Sequence, residues 1–103
     1  MHTVIETPIF QRMVSAIWSE SERTDFIDWI AENPLAGTVI PSAGDLRKVR
    51  WSREGMGKRG GARVIYYNRL SGGQVVLVAV YTKAKFDNMP VAVLKMWKEA
   101  YDA

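Results

Sequence analysis

The sequence predicts an α+β fold: a small, mainly antiparallel sheet with two N-terminal helices on one face and a C-terminal helix on part of the other. Three observations predict it. Residues 8–32 carry two apolar stripes at helical spacing, each with its own start signal. Residues 74–83 (QVVLVAVYTK) are a nearly continuous apolar run, not an alternating one, so that strand has both faces covered. Residues 90–101 form a third amphipathic stripe, available to cover the face the first two helices leave open.

Taken in order, residues 2–6 form a short β-type stretch. Thr7 then caps a helix with Pro8 in its first turn, where the missing N–H costs nothing. Phe10, Met13, Val14, Ile17 and Trp18 give that helix its core face. Ser19 and Glu22 have capping-box spacing for a second helix, with Phe26, Ile27, Ile30 and Ala31 as its apolar stripe. Asn33-Pro34 ends it, because the residue before proline avoids the helical region. Residues 35–45 are a connector that can hide a short strand at 38–40. Residues 46–51 alternate as a strand, with Leu46, Lys48 and Arg50 on one face and Arg47, Val49 and Trp51 on the other. Residues 52–61 hold four glycines and four charged residues and form a loop. A strand follows over 62–70, in which Tyr66 and Tyr67 alternate, one to the core and one outward. Leu70-Ser71-Gly72-Gly73 makes the hairpin turn into the apolar strand. Asp87 or Asn88 caps the last helix, Pro90 lies early in it, and Val93, Leu94, Trp97 and Tyr101 form its stripe. The expected order is β-α-α-β-β-β-α, in one domain spanning residues 1–103.

Composition excludes several functions. The chain has no cysteine and one histidine, His2, so thiolate sites, disulfides, histidine triads and histidine metal sites find no residues to build them. No metal and no cofactor are expected. No apolar run approaches the roughly 18 residues a bilayer requires, and the N-terminus lacks a signal-peptide pattern, so a cytoplasmic location with no membrane partner is the simplest expectation. The segment GMGKRGG lacks Walker spacing and leads into a strand. The acidic residues of the second helix read as a solvated face.

The charge is what remains. The chain carries net +3, yet residues 1–45 hold two basic and seven acidic residues while residues 46–103 hold twelve basic and four acidic. Seven basic residues fall between Leu46 and Arg63, with only Glu54 against them. Such a stripe is the footprint of a polyanion partner. Lys48 and Arg50 share a strand face, Arg63 opens the next strand, and Lys83 and Lys85 close the apolar one. Like charges side by side on a sheet are destabilising, so a sheet that gathers them expects an outside anion. Arginines can hold a phosphorane-like transition state as planar, permanently charged forks. Neighbouring cations disfavour a lysine's protonated form, which makes Lys48, between Arg47 and Arg50, the candidate base for a ribose 2′-OH. An exposed Tyr81 or Trp51 could stack on a base.

The stretch DLRKVRWSREGMGKRGGARVIYY, followed by an apolar strand ending YTK and a terminal helix, resembles the RelE/ParE toxin superfamily, and most closely its HigB-like branch. The resemblance covers most of the chain from about residue 35. It implies a RelE-like microbial RNase fold and a toxin of a type II toxin–antitoxin pair: a metal-independent mRNA interferase that enters the ribosomal A site and cuts mRNA by 2′-OH attack, leaving a cyclic phosphate. Carried over residue by residue, it implies catalytic roles for Lys48, Arg50, Arg63 and Lys83. The expected RNA contacts are Arg47, Arg53, Lys58, Arg59, Tyr81, Lys85 and Phe86, of which Lys58 and Arg59 follow from the charge of the loop 52–61 and could grip ribosomal RNA phosphates. RelE has a stacking tyrosine a few residues after the last strand; here that neighbourhood reads Phe86-Asp87-Asn88-Met89, leaving Phe86 or Tyr81 for the role. The implied partners are the ribosome, mRNA and a cognate antitoxin with a helix-turn-helix domain, through which alone operator DNA is contacted. ParE-like relatives share the fold but poison DNA gyrase without nuclease activity, and a non-catalytic nucleic-acid-binding module is a third reading.

Overall fold

A computed structural model of the chain describes residues 2–51, 61–82 and 89–102. The elements are β1 (Thr3–Glu6), α1 (Pro8–Val14), α2 (Glu20–Glu32), β2 (Thr38–Val39), β3 (Arg47–Trp51), β4 (Ala62–Arg69), β5 (Gln74–Thr82) and α3 (Val91–Asp102). The local signals act where the sequence puts them. The Thr7 hydroxyl accepts from Phe10 N at 3.2 Å with Pro8 in the first turn. Ser19 and Glu22 form a reciprocal capping box, at 3.2 and 3.0 Å. α1 ends at Val14, sooner than its apolar stripe, and Trp18 reaches the core from the turn that follows. The hidden strand is present as β2. α3 begins just after Pro90, and the expected caps Asp87 and Asn88 lie outside the described residues.

The five strands form one sheet in the order β1-β5-β4-β3-β2. β1 runs parallel to β5, and every other pairing is antiparallel. β5 is therefore an interior strand, flanked by β1 and β4, and Val75 to Tyr81 are all buried. One face packs Val49, Val64, Tyr66, Val75, Leu77 and Val80 against Phe10, Val14, Trp18, Phe26 and Ile30 of the N-terminal helices and the turn between them. The other packs Leu46, Ile65, Tyr67, Val76, Val78, Ala79 and Tyr81 under Leu94, Trp97 and Tyr101 of α3. Tyr66 and Tyr67 are consequently both buried, at 0% and 2% exposure, because α3 covers the face on which an outward tyrosine was expected.

The β4–β5 ladder contains one irregularity. Ile65 pairs with Ala79 and Tyr66 with Leu77, so Val78 is an extra residue on β5. Val78 and Ala79, consecutive in sequence, both face α3. A bulge interrupts ladder bonding, and here Thr7 meets it from the far side: its hydroxyl donates to the Leu77 carbonyl at 2.9 Å and lies 3.1 Å from that of Val78. One threonine thus caps α1 and closes the irregular stretch of β5.

Candidate functional site

Strand alternation and ladder register assemble the site. On β3, Val49 and Trp51 pack toward the N-terminal helices, so Lys48 and Arg50 project from the α3 side and are exposed. Arg50 is directly opposite Arg63 on β4, and Arg63 is directly opposite Tyr81 on β5. Arg50, Arg63 and Tyr81 therefore form one row across three strands. Lys48 lies two residues along, opposite Ile65. The end of the sheet that holds this row is the one from which residues 52–60 leave β3 and residues 83–88 leave β5.

Two arginines directly opposite each other repel, since cross-strand partners sit about 5 Å apart at Cβ. A protein core relieves such a pair with a carboxylate. Here none of the described carboxylates pairs with Lys48, Arg50 or Arg63: the ion pairs among the described residues include Arg23–Glu6 at 2.6 Å and Lys98–Asp45 at 2.5 Å, both elsewhere. Burial raises the Tyr81 phenol above its ordinary value, while the charge of Arg63 pulls it down, which places the guanidinium within electrostatic reach of the ring. Among the described residues the row presents positive charge without a paired carboxylate, with planar guanidinium donors suited to a phosphodiester.

Some sequence expectations change. Arg47 does not join the cluster. Its parity is that of Val49, and its Nη1 donates to the Gly37 carbonyl at 2.7 Å and lies 3.4 Å from that of Leu35, fixing the connector that leads to β2. Tyr81 is 3% exposed, so it is no open stacking platform. Trp51 is also committed to packing, with its ring 5.5 Å from Phe26 and 4.8 Å from Trp29. Arg53, Lys58, Arg59, Lys83, Lys85 and Phe86 lie outside the described residues. Among the described residues, no group of three His, Cys, Asp or Glu side chains could hold a metal ion, and no helix is long and apolar enough to cross a membrane.

Sequence reasoning passes over two features. The Tyr66 hydroxyl accepts from Gly37 N at 2.8 Å and donates to the Pro34 carbonyl at 2.9 Å, which Asn68 Nδ2 also reaches at 2.9 Å. Together with Arg47 this locks the connector against the sheet. The second feature is the cationic flank of α3, Lys95 and Lys98, which by spacing alone reads as the polar side of an amphipathic helix.

No family model matches the chain. Among solved structures, the chain is similar to the free state of an E. coli toxin RelE variant with two arginines replaced by alanine. The TM-score is 0.58 at 13% identity, over 94% of this chain and 96% of that one. The chain has the RelE-like fold. At that identity the likeness is one of backbone path: helices paired on one face, a helix on the other, and a five-stranded sheet between them. The RelE-like sheet is what carries Lys48, Arg50 and Arg63 to a single end of a single face.

Proposed function

We propose that this protein is a toxin of a type II toxin–antitoxin system, of the HigB-like, RelE type, which cuts mRNA in the ribosomal A site. One observation carries the reading: Arg50 faces Arg63 across the β3–β4 ladder, with no described carboxylate to neutralise them. Repulsion of this kind is tolerated where an outside anion relieves it, and strain held in a site is a common mark of function. The shared fold supports the toxin class.

In the proposed reaction Lys48 takes the proton of the ribose 2′-OH. The 2′-oxygen forms a bond to the adjacent phosphorus, and the bond from phosphorus to the 5′-oxygen breaks. Arg50 and Arg63 hold the non-bridging oxygens as negative charge accumulates on them. The leaving 5′-oxygen takes up a proton, with Lys83 as the candidate donor, and the products are a 2′,3′-cyclic phosphate and a 5′-hydroxyl. Charge stabilisation comes from guanidinium groups, so the mechanism routes no step through a metal. Arg53, Lys58, Arg59, Lys85 and Phe86 are the proposed further RNA contacts. The partners are the ribosome, mRNA and a cognate antitoxin whose acidic residues meet the Lys48–Arg50 face, and the setting is the cytoplasm.

The test is primer extension on a defined mRNA in a purified translation system, with wild type and Arg63→Ala side by side. Ribosome-dependent cuts in codon register that vanish in the variant are the expected result. Intact mRNA from both proteins, together with gyrase-linked DNA breaks in cells, would replace this reading by the ParE-like one.

A further inference from the structure

We infer that Lys95, on the flank of α3, is a second phosphate contact that continues the Lys48–Arg50–Arg63 cluster into a track for the RNA backbone. The inference rests on the RNA reading above and adds to it an element that reading does not use. α3 lies along the sheet with its Tyr101 ring 5.5 Å from the Arg69 guanidinium and Lys98 Nζ 4.8 Å from the centre of the Tyr67 ring. The Arg69 guanidinium lies 5.9 Å from the Tyr67 ring as well, so both contacts centre on Tyr67. Leu94, one turn nearer the helix start than Lys98, is buried in the same cluster as Ile65, whose partner on β3 is Lys48. Lys98 also bonds Asp45, which identifies the flank carrying residues 95, 98 and 99 as the one beside β3. Lys95 therefore stands on the β3 side of α3, one turn nearer the helix start than Lys98.

The space beside it suits a sugar-phosphate chain. Lys95, Lys98 and Glu99 line a shallow pocket of about 220 Å³ whose opposite wall is Ala43 and Gly44. That wall carries nothing larger than a methyl, and the turn bends sharply there, with Ser42 at φ 63° and Gly44 at φ 66°. A Cβ added to Gly44 would touch nothing within 4 Å, so the backbone is open to close approach. The two lysines differ in their commitments. Lys98 is engaged by Asp45 and the Tyr67 ring, whereas Lys95 is exposed and makes no ion pair with a described residue, Glu99 one turn on included. Lys95 and Glu99 are the charges of this pocket without a described ion-pair partner, and Lys95 is the cation of the two.

The experiment compares Lys95→Ala, Lys95→Arg and Glu99→Gln with wild type on mRNA-programmed ribosomes over a range of salt. Lys95 is exposed, so all variants should keep the wild-type Tm. A phosphate contact away from the reacting atoms binds ground and transition states alike, so Lys95→Ala should raise KM about fivefold, the scale of one exposed ion contact, and leave kcat unchanged. The salt dependence should become shallower by about 0.7 in log–log slope. Lys95→Arg should restore both, and Glu99→Gln should lower KM. KM and slope equal to wild type in Lys95→Ala would overturn the inference. If wild type does not cut on ribosomes, the proposed function fails, and Lys95 is then judged by binding of a short single-stranded RNA. A shallower slope in Lys95→Ala upholds the contact there, and an equal slope or no binding removes it. Where both assays work, an effect on the free RNA assigns the contact to the message, and an effect on the ribosome alone assigns it to ribosomal RNA.

Discussion

The two faces of the sheet treat the same kind of residue in opposite ways. Toward α1 and α2, two polar side chains of the sheet spend their hydrogen bonds inside the molecule: Arg47 binds the Gly37 carbonyl, and the Tyr66 hydroxyl bridges Gly37 and Pro34. Toward α3, one helix covers only part of the sheet, and beyond it Lys48, Arg50 and Arg63 remain without a described carboxylate. Arg47 and Lys48 are neighbours in sequence, yet one acts as a structural strut and the other as a candidate functional group. What separates them is parity on a strand. Residue type alone does not distinguish structural charge from available charge; the face does.

The sharpest way to break this comparison is to remove one cation from each face. Arg63→Ala should reduce mRNA cleavage at least about 100-fold, the usual consequence of losing a preorganised charge donor, and Lys48→Ala should show a comparable loss in the same assay. Arg47→Ala should leave cleavage within about twofold while lowering stability by ~1–2 kcal/mol, the scale of a charged hydrogen bond to a partly buried carbonyl, read by urea unfolding. If Arg47→Ala abolished cleavage at unchanged stability, the division between the faces would be wrong. Tyr66→Phe should cost about 2 kcal/mol by stranding the buried Gly37 N–H. Gly37→Ala should also destabilise, since its Cβ would sit 2.8 Å from the Tyr66 ring.

The smallest expected effect is alkaline. Burial raises both Tyr66 and Tyr81 above the ordinary tyrosine value of 10.0. The folded protein therefore holds those two protons more tightly than the unfolded chain does. The stability this provides is intact below pH 10 and declines as pH rises through the raised folded values. Thermal melts across that range should show the decline, and Tyr81→Phe should flatten part of it.

Much of this was legible in the sequence because it is local. Thr7-Pro8 and Ser19 with Glu22 act over three or four residues, and the structure uses them as written. The alternation of residues 46–51 separated Lys48 and Arg50 from Arg47 and Trp51. The unbroken apolar run over 74–83 announced a strand covered twice. The remainder depends on contacts remote in sequence. The parallel pairing of β1 with β5 follows from no local pattern, and neither does the Arg50–Arg63 register, which joins strands across a loop. Arg47 was grouped with the RNA contacts because its charge is visible in the sequence while the Gly37 carbonyl that engages it is not. Tyr81 is open to either reading in the sequence, core residue or RNA contact, because nothing in its own strand indicates how far α3 closes over it.

The extra residue at Val78 has a further consequence. A strand is a two-state alternation, and one insertion reverses the state of everything downstream. Before the bulge, Val75 and Leu77 point to the α1–α2 side; after it, Val80 does, and Tyr81 falls on the side of Arg63. Val78 therefore works like a single-base frameshift in a message: the letters on either side are unaltered, but their meaning is exchanged. Deleting Val78 would restore strict alternation and leave Val80 and Tyr81 on their present sides, whereas a straightened strand that kept Val78 would turn Tyr81 toward the N-terminal helices. The phase of the functional end of β5 is thus set three to four residues before Tyr81, at the Leu77 and Val78 carbonyls that Thr7 holds in place.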